Sequence, residues 1–367
     1  MPLRFHWSLS QAGDRWRKAS APEKQSGVPD LAAHVELCRA AERHGIDSLL
    51  LAFSFARPDP LVMASALAAL TDSITLMVAC RSGVFLPATF VQQVNTASTL
   101  APGRISINVV AGHSPHEQAY YGDFLPHDER YRRTAEFLDV CTALWRRQEE
   151  VEYQGRYYHV EKGRLGTPFL AAARTRPEIF VSGNSAPAED LARCYGDCLL
   201  RYPEAPARLR DRVRPLVEAG KEVGLRLALI GRATAEEARR DAGRLLDAAQ
   251  EKAGAARREF VGRTDSVAFR STLAAAEAPE SEWLTPVLWN GLVPYLGEVC
   301  LVGSADEIAA ALLEFRDAGI RQFLFSGWPD EEEMAFFGTE VLPRVRALEG
   351  ADAPPDAQTA TRSSATA

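Results

Sequence analysis

PATFVQQVNTASTLAPGRISINVV, Pro87–Val110, holds the pattern that decides the fold. Pro87–Leu100 reads as a helix, Ala101-Pro102-Gly103 as a turn and Arg104–Val110 as a strand. The strand is a continuous apolar run instead of an alternating one, which predicts burial on both faces, as in a parallel sheet covered by helices. The same helix-to-strand rhythm extends in both directions. Toward the N-terminus lie the strands Leu3–Leu9, Ser48–Ala52 and Ile74–Arg81, separated by helices over Asp30–His44, closed by Gly45, and Pro60–Leu70. On the helix Asp30–His44, Leu31, Val35, Leu37, Cys38 and Ala41 share one face. Toward the C-terminus, Tyr131–Trp145 is the fourth helix, and Pro177–Gly183, Asp197–Arg201, Gly224–Gly231 and Gln322–Gly327 complete a set of eight strands. Helices over Pro187–Cys194, Ala205–Val223, Ala235–Glu251 and Ala305–Ala318 fall among them. Eight alternating strands and helices with right-handed crossovers predict an α/β protein with a closed (β/α)8 TIM barrel. The alternative is an open Rossmann-like sheet, but no GxGxxG follows any of these strands.

Composition fits this reading. The 367 residues are 46% hydrophobic and 25% charged, ordinary for a globular chain. The formal charge of -7, from 42 Lys+Arg against 49 Asp+Glu, lacks the basic field of a nucleic-acid binder. Six cysteines at irregular spacing, mostly in apolar stretches, read as reduced core thiols. With no membrane-length apolar run and no signal-peptide pattern at the start, the expected location is the cytoplasm. The barrel is expected over residues 1–348, with a hairpin insertion at 150–165 around Gly155. A lid insertion is expected at 254–300, and a disordered tail at 349–367.

A barrel of this kind places its active site where the strands end. Those segments are short of acids, with neither a carboxylate pair for glycoside hydrolysis nor a GxSxG or HExxH motif, so an organic cofactor is expected to carry the chemistry. No metal site is expected: His113 and His116 form an HxxH, but no third ligand accompanies them. Ser182-Gly183-Asn184-Ser185 leads from a strand into a helix, which offers free N–H groups, the positive helix end and two hydroxyls to a phosphate. Trp7, Phe53, Phe55, Phe85 and Trp328 are candidates for an apolar mouth that excludes water.

The ordered series of short motifs resembles the bacterial luciferase-like flavin monooxygenases, in particular the alkanesulfonate monooxygenase branch. It comprises Arg104–Gly112, His127-Asp128-Glu129-Arg130-Tyr131, Ser182–Ser185, Arg263–Val267, Leu288–Gly291, Leu301–Gly303 and Phe325–Pro329. The resemblance covers nearly the whole chain to about Pro343. It implies FMN at the barrel mouth, with Asn108, Ala79 and Cys80 near the isoalloxazine and Tyr131, Ser182, Gly183 and Ser185 at the ribityl phosphate. His127 is expected beside the cofactor or capping the helix it opens. Reduced FMN is then supplied by a separate NAD(P)H-dependent flavin reductase, and one oxygen atom enters a small-molecule substrate behind a mobile lid. A homodimer or homotetramer follows from the resemblance alone. Departures from the branch are equally specific: Ala12, Arg57, Ala228, Pro294 and Trp328 stand where alkanesulfonate enzymes carry His, Cys, His, Arg and Tyr, while Arg226 is kept. The expected substrate is therefore not an alkanesulfonate but a more apolar or aromatic molecule. His113, Arg57, Arg226 and Trp328 are the candidate catalytic residues. A deazaflavin-dependent oxidoreductase and a non-catalytic flavin-binding protein are the alternatives.

Overall fold

The computed structural model describes residues 2–9, 28–112, 114–146, 150–252, 264–277, 282–328 and 330–351. In chain order its strands are β1 Arg4–Ser8, β2 Ser48–Leu51, β3 Thr75–Cys80, β4 Ile105–Val109, β5 Val151–Gln154 and β6 His159–Gly163. They continue with β7 Ile179–Ser182, β8 Cys198–Arg201, β9 Glu222–Gly231, β10 Leu288–Trp289, β11 Cys300–Gly303 and β12 Gln322–Ser326. Eight of them close a parallel barrel in the order β1-β2-β3-β4-β7-β8-β9-β12, and β12 pairs back onto β1. The (β/α)8 expectation is met. β5 and β6 form a separate antiparallel pair.

Side-chain alternation sorts each barrel strand into two cores. Leu50, Met77, Ala79, Phe180, Cys198, Leu200 and Leu324 pack together inside the barrel. Their chain neighbours Leu49, Leu51, Val78, Cys80, Val181, Leu199, Phe323 and Phe325 pack outward against the helices. The same parity corrects one expectation: Ser8 faces the mouth, so Trp7 faces outward, fully buried, with its indole N–H donating to Asp330 Oδ1 at 2.9 Å. Inside the barrel His6 bridges Ser48 Oγ and Gln322 Oε1, each at 2.7 Å, with its ring edge against Phe180. Burial pushes this imidazole down to about 4.

Local signals set the helices. Asp59 accepts from the N–H groups of Leu61 and Val62 ahead of the helix Pro60–Ala68, and Ser304 with Glu307 forms a capping box on Ala305–Asp317. Leu31, expected on the buried face of its helix, is exposed at the first turn.

β9 is longer than a barrel strand needs to be. Its first part pairs with β8, its middle with β12, and Ala228–Gly231 pairs with β11, which lies outside the barrel and carries the antiparallel β10. Sequence reading missed β11 because three apolar residues and a glycine at the end of a long insertion give no periodicity. The described part of that insertion also contains the helix Val267–Glu277 and a short helix Val293–Leu296. The first part of the expected lid, 254–263, and the tail beyond 351 lie outside the described residues, as do Ala12 and His113.

Candidate active site

The loops after the barrel strands surround a cavity of about 510 Å³. On one side, β7 ends at Ser182, Gly183 turns the chain, and Ser185 caps the helix Ala186–Tyr195 by accepting from the Ala188 N–H. Gly183 has φ +153°. A Cβ there would stand 2.8 Å from Ala188 Cβ and 3.2 Å from the Tyr131 hydroxyl. The position is thus a concave cradle at a helix N-terminus, at the positive end of the helix dipole. Ser182 Oγ donates to Asn108 Oδ1 at 2.8 Å, and the Tyr131 hydroxyl is hydrogen-bonded to Ser185. Burial raises the Tyr131 phenol, which keeps it protonated and able to donate. Donor chemistry and shape both fit a phosphate.

The expected residues divide cleanly. Arg57, Ala79, Asn108, His127, Tyr131, Ser182, Gly183, Ser185, Arg226 and Trp328 all line the cavity. Cys80 does not: one position beyond Ala79 on β3, it points into the layer between strands and helices. His127 Nδ1 is 2.8 Å from Asp128 Oδ1, and its ring lies against Tyr131. Of the aromatic candidates, Phe53 lines the cavity while Phe55 is exposed. Trp283, Trp289 and Tyr295 pack with Leu292 and Val302 in a core outside the barrel. Ala228 is buried in that same core. The insertion meets the cavity instead through Ser266–Phe269 and Leu296–Glu298.

Electrostatics at the mouth were only half anticipated. Arg81, buried, donates to Glu117 Oε2 at 3.1 Å, and its guanidinium carbon stands 4.9 Å from the Phe53 ring centroid. Arg201, also buried, lies 3.4 Å from Glu189 and 3.5 Å from Glu204, and desolvation lowers its pKa. Arg226 donates to Glu298 and, at 3.2 Å, to the Tyr202 hydroxyl. Burial works against its charge, but Glu298 and Tyr202 outweigh that, so its pKa is raised. The carboxylate partners Glu117 and Glu298 were not legible as site residues, because each meets its arginine only in the folded barrel. Deeper clamping comes from Arg130 of the HDERY segment. Its guanidinium binds the Ala111 and Leu125 carbonyls and Asp265 at 2.7 Å, tying the insertion to the helix His127–Arg146.

The family model for luciferase-like monooxygenases matches residues 3–322. The chain belongs to the luciferase-like monooxygenase family. It is an enzyme of the flavin-dependent monooxygenase class, as the motif series led us to expect. Solved structures of similar fold include an EDTA monooxygenase (EmoA) from Chelativorans sp. BNC1, 19% identical over 95% of each chain, with a TM-score of 0.73. A riboflavin lyase (RcaE), solved with modified FMN and riboflavin, is 20% identical over 95% of this chain and 92% of its own, with a TM-score of 0.74. An F420-dependent secondary alcohol dehydrogenase is 19% identical over 94% of this chain and 99% of its own, with a TM-score of 0.66. At these identities the likeness establishes the barrel that the luciferase-like family shares.

Proposed function

We propose that this chain is the oxygenating component of a two-component FMN-dependent monooxygenase. A separate NAD(P)H-dependent flavin reductase supplies reduced FMN, one atom of dioxygen enters a small organic substrate, and the other leaves as water. The observation that carries this reading is the cradle at Gly183, where Ser182, Ser185, Tyr131 and a helix N-terminus converge on a space that a Cβ would fill.

Bound reduced flavin supplies the two electrons that the reaction needs. The protein's part is binding, orientation and exclusion of water. The positive helix end at Ala186 and the Ser182, Ser185 and Tyr131 hydroxyls hold the phosphate. Asn108, fixed by Ser182, and the small Ala79 leave room for a flat ring over the barrel core. Phe53, Phe269 and Trp328 give the mouth an apolar rim that keeps water from the reacting atoms. Arg57, Arg226 and Trp328 are assigned to the substrate side, and an alkanesulfonate is not the substrate.

Two experiments test the reading. Replacing both Ser182 and Ser185 by Ala should weaken FMN binding at least about tenfold, since each removes a hydrogen bond to a charged acceptor worth roughly 1.5–3 kcal/mol. An unchanged titration curve would displace the phosphate from this turn. Oxygen uptake coupled to product should follow addition of FMN, a flavin reductase and NADH. Turnover with reduced deazaflavin alone, or flavin binding without any turnover, would overturn the monooxygenase assignment.

A further inference from the structure

Between β9 and the Leu296–Glu298 loop, the cavity wall holds an ion pair with one unfinished end. Arg226 is 38% exposed, and it lines the cavity. Glu298, only 3% exposed, accepts from Arg226 with Oε1, whereas Oε2 is buried and has no hydrogen-bond partner among the described residues. A buried carboxylate oxygen without a donor is costly, and here it belongs to a residue that lines the cavity, where an incoming N–H can reach it.

Charge narrows the ligand. The guanidinium is already neutralised by Glu298, so an anion placed on Arg226 would also face that carboxylate. A cation placed on Glu298 would face the guanidinium. A neutral group with an N–H for Oε2 and an oxygen for the remaining Arg226 N–H groups satisfies both. Phe269, Leu296 and Trp328 wall the same cavity and favour a flat, largely apolar body.

We propose that the substrate presents an amide-type edge, N–H beside C=O, to Glu298 and Arg226, and is a neutral lactam, imide or urea. The chemistry after binding rests on the monooxygenase reading; the binding itself does not.

The test uses the full-length protein and a matched pair of probes, 2-pyridone and N-methyl-2-pyridone, with benzoate as an anion of similar size. Phthalimide and N-methylphthalimide repeat the comparison on a larger ring. In the wild type the N–H compounds should bind at least about tenfold more tightly than their N-methyl partners and than benzoate, as measured by ligand-observed NMR or calorimetry. In Glu298→Gln and Glu298→Ala the preference should fall below about threefold, with FMN affinity unchanged. Equal affinity within each pair, tighter binding of benzoate, or no binding of either N–H probe would overturn the proposal, and these wild-type comparisons need no variant to fold. Loss of FMN affinity in Glu298→Ala would also overturn it, because the edge read by the pair would then belong to the flavin. Failure of the wild type to bind FMN, with the probe preference intact, would sink the monooxygenase reading and leave this one standing.

Discussion

Gly183 shows how much one residue can be asked to do. Its φ of +153° and the 2.8 Å approach that a Cβ would make to Ala188 leave no room for a side chain without moving the helix start. Gly183→Ala should cost roughly 1–3 kcal/mol of stability and weaken flavin binding more than Ser182→Ala alone, readable by thermal melts and flavin titration. Ser182–Ser185 was legible in the sequence because its parts are adjacent in the chain. Glu298 was not, since its partner Arg226 lies on β9, 72 residues away, and only the pairing of β11 with β9 brings them together. His6 makes a second prediction at this scale. Its folded pKa of about 4 lies below the unfolded value near 6.5, so the unfolded chain binds the extra proton between those limits. Stability from this residue is complete above pH 6.5 and is lost as pH falls toward 4, by about 3 kcal/mol in all. Urea unfolding across this range should be less steep in pH for His6→Gln than for the wild type.

Elements were read well where a period extends over many residues and poorly where it does not. Each apolar strand run identified a barrel strand, yet the face toward the mouth depended on register. Trp7, expected at the mouth, is turned outward by that single-residue parity, and Ser8 beside it faces the cavity. In the insertion expected to act as a lid, the Trp283 and Trp289 rings lie 6.0 Å apart, tilted by 32°, and serve a second core. The helix Val267–Glu277 reaches the cavity instead, held at its start by Arg130 and Asp265. We propose that this helix is the movable part of the cover. Asp265→Asn should raise amide hydrogen exchange across 264–277 while leaving β1–β4 unaffected, and bound FMN should slow that exchange. Equal exchange in both proteins would mean that the tie does not restrain the helix.

For the molecule as a whole, barrel closure and family were both available from sequence, because alternation over the whole chain and an ordered motif series survive low identity. Among the described residues, no helix is long and apolar enough to cross a membrane. A neutral ligand feels no long-range steering whatever the net charge of -7, so binding of the neutral probes should change less than about twofold between low and physiological salt. A steep salt dependence would point to an anionic ligand.

β9 closes the barrel and also carries β11 beyond it, and that has an evolutionary consequence. Its last residues hold β11, so the loop that delivers Leu296–Glu298 to the mouth is anchored to the barrel at Cys300–Gly303. We expect Leu296–Glu298, set between the buried Leu292 and Val293 and the anchored β11, to behave as a short cassette where mutation retunes what the enzyme accepts while the buried core is spared. Exchanging that stretch for its counterpart from another family member should alter ligand choice by an order of magnitude or more and leave the melting temperature within a few degrees. Selection would then find new substrates here without having to rebuild the barrel.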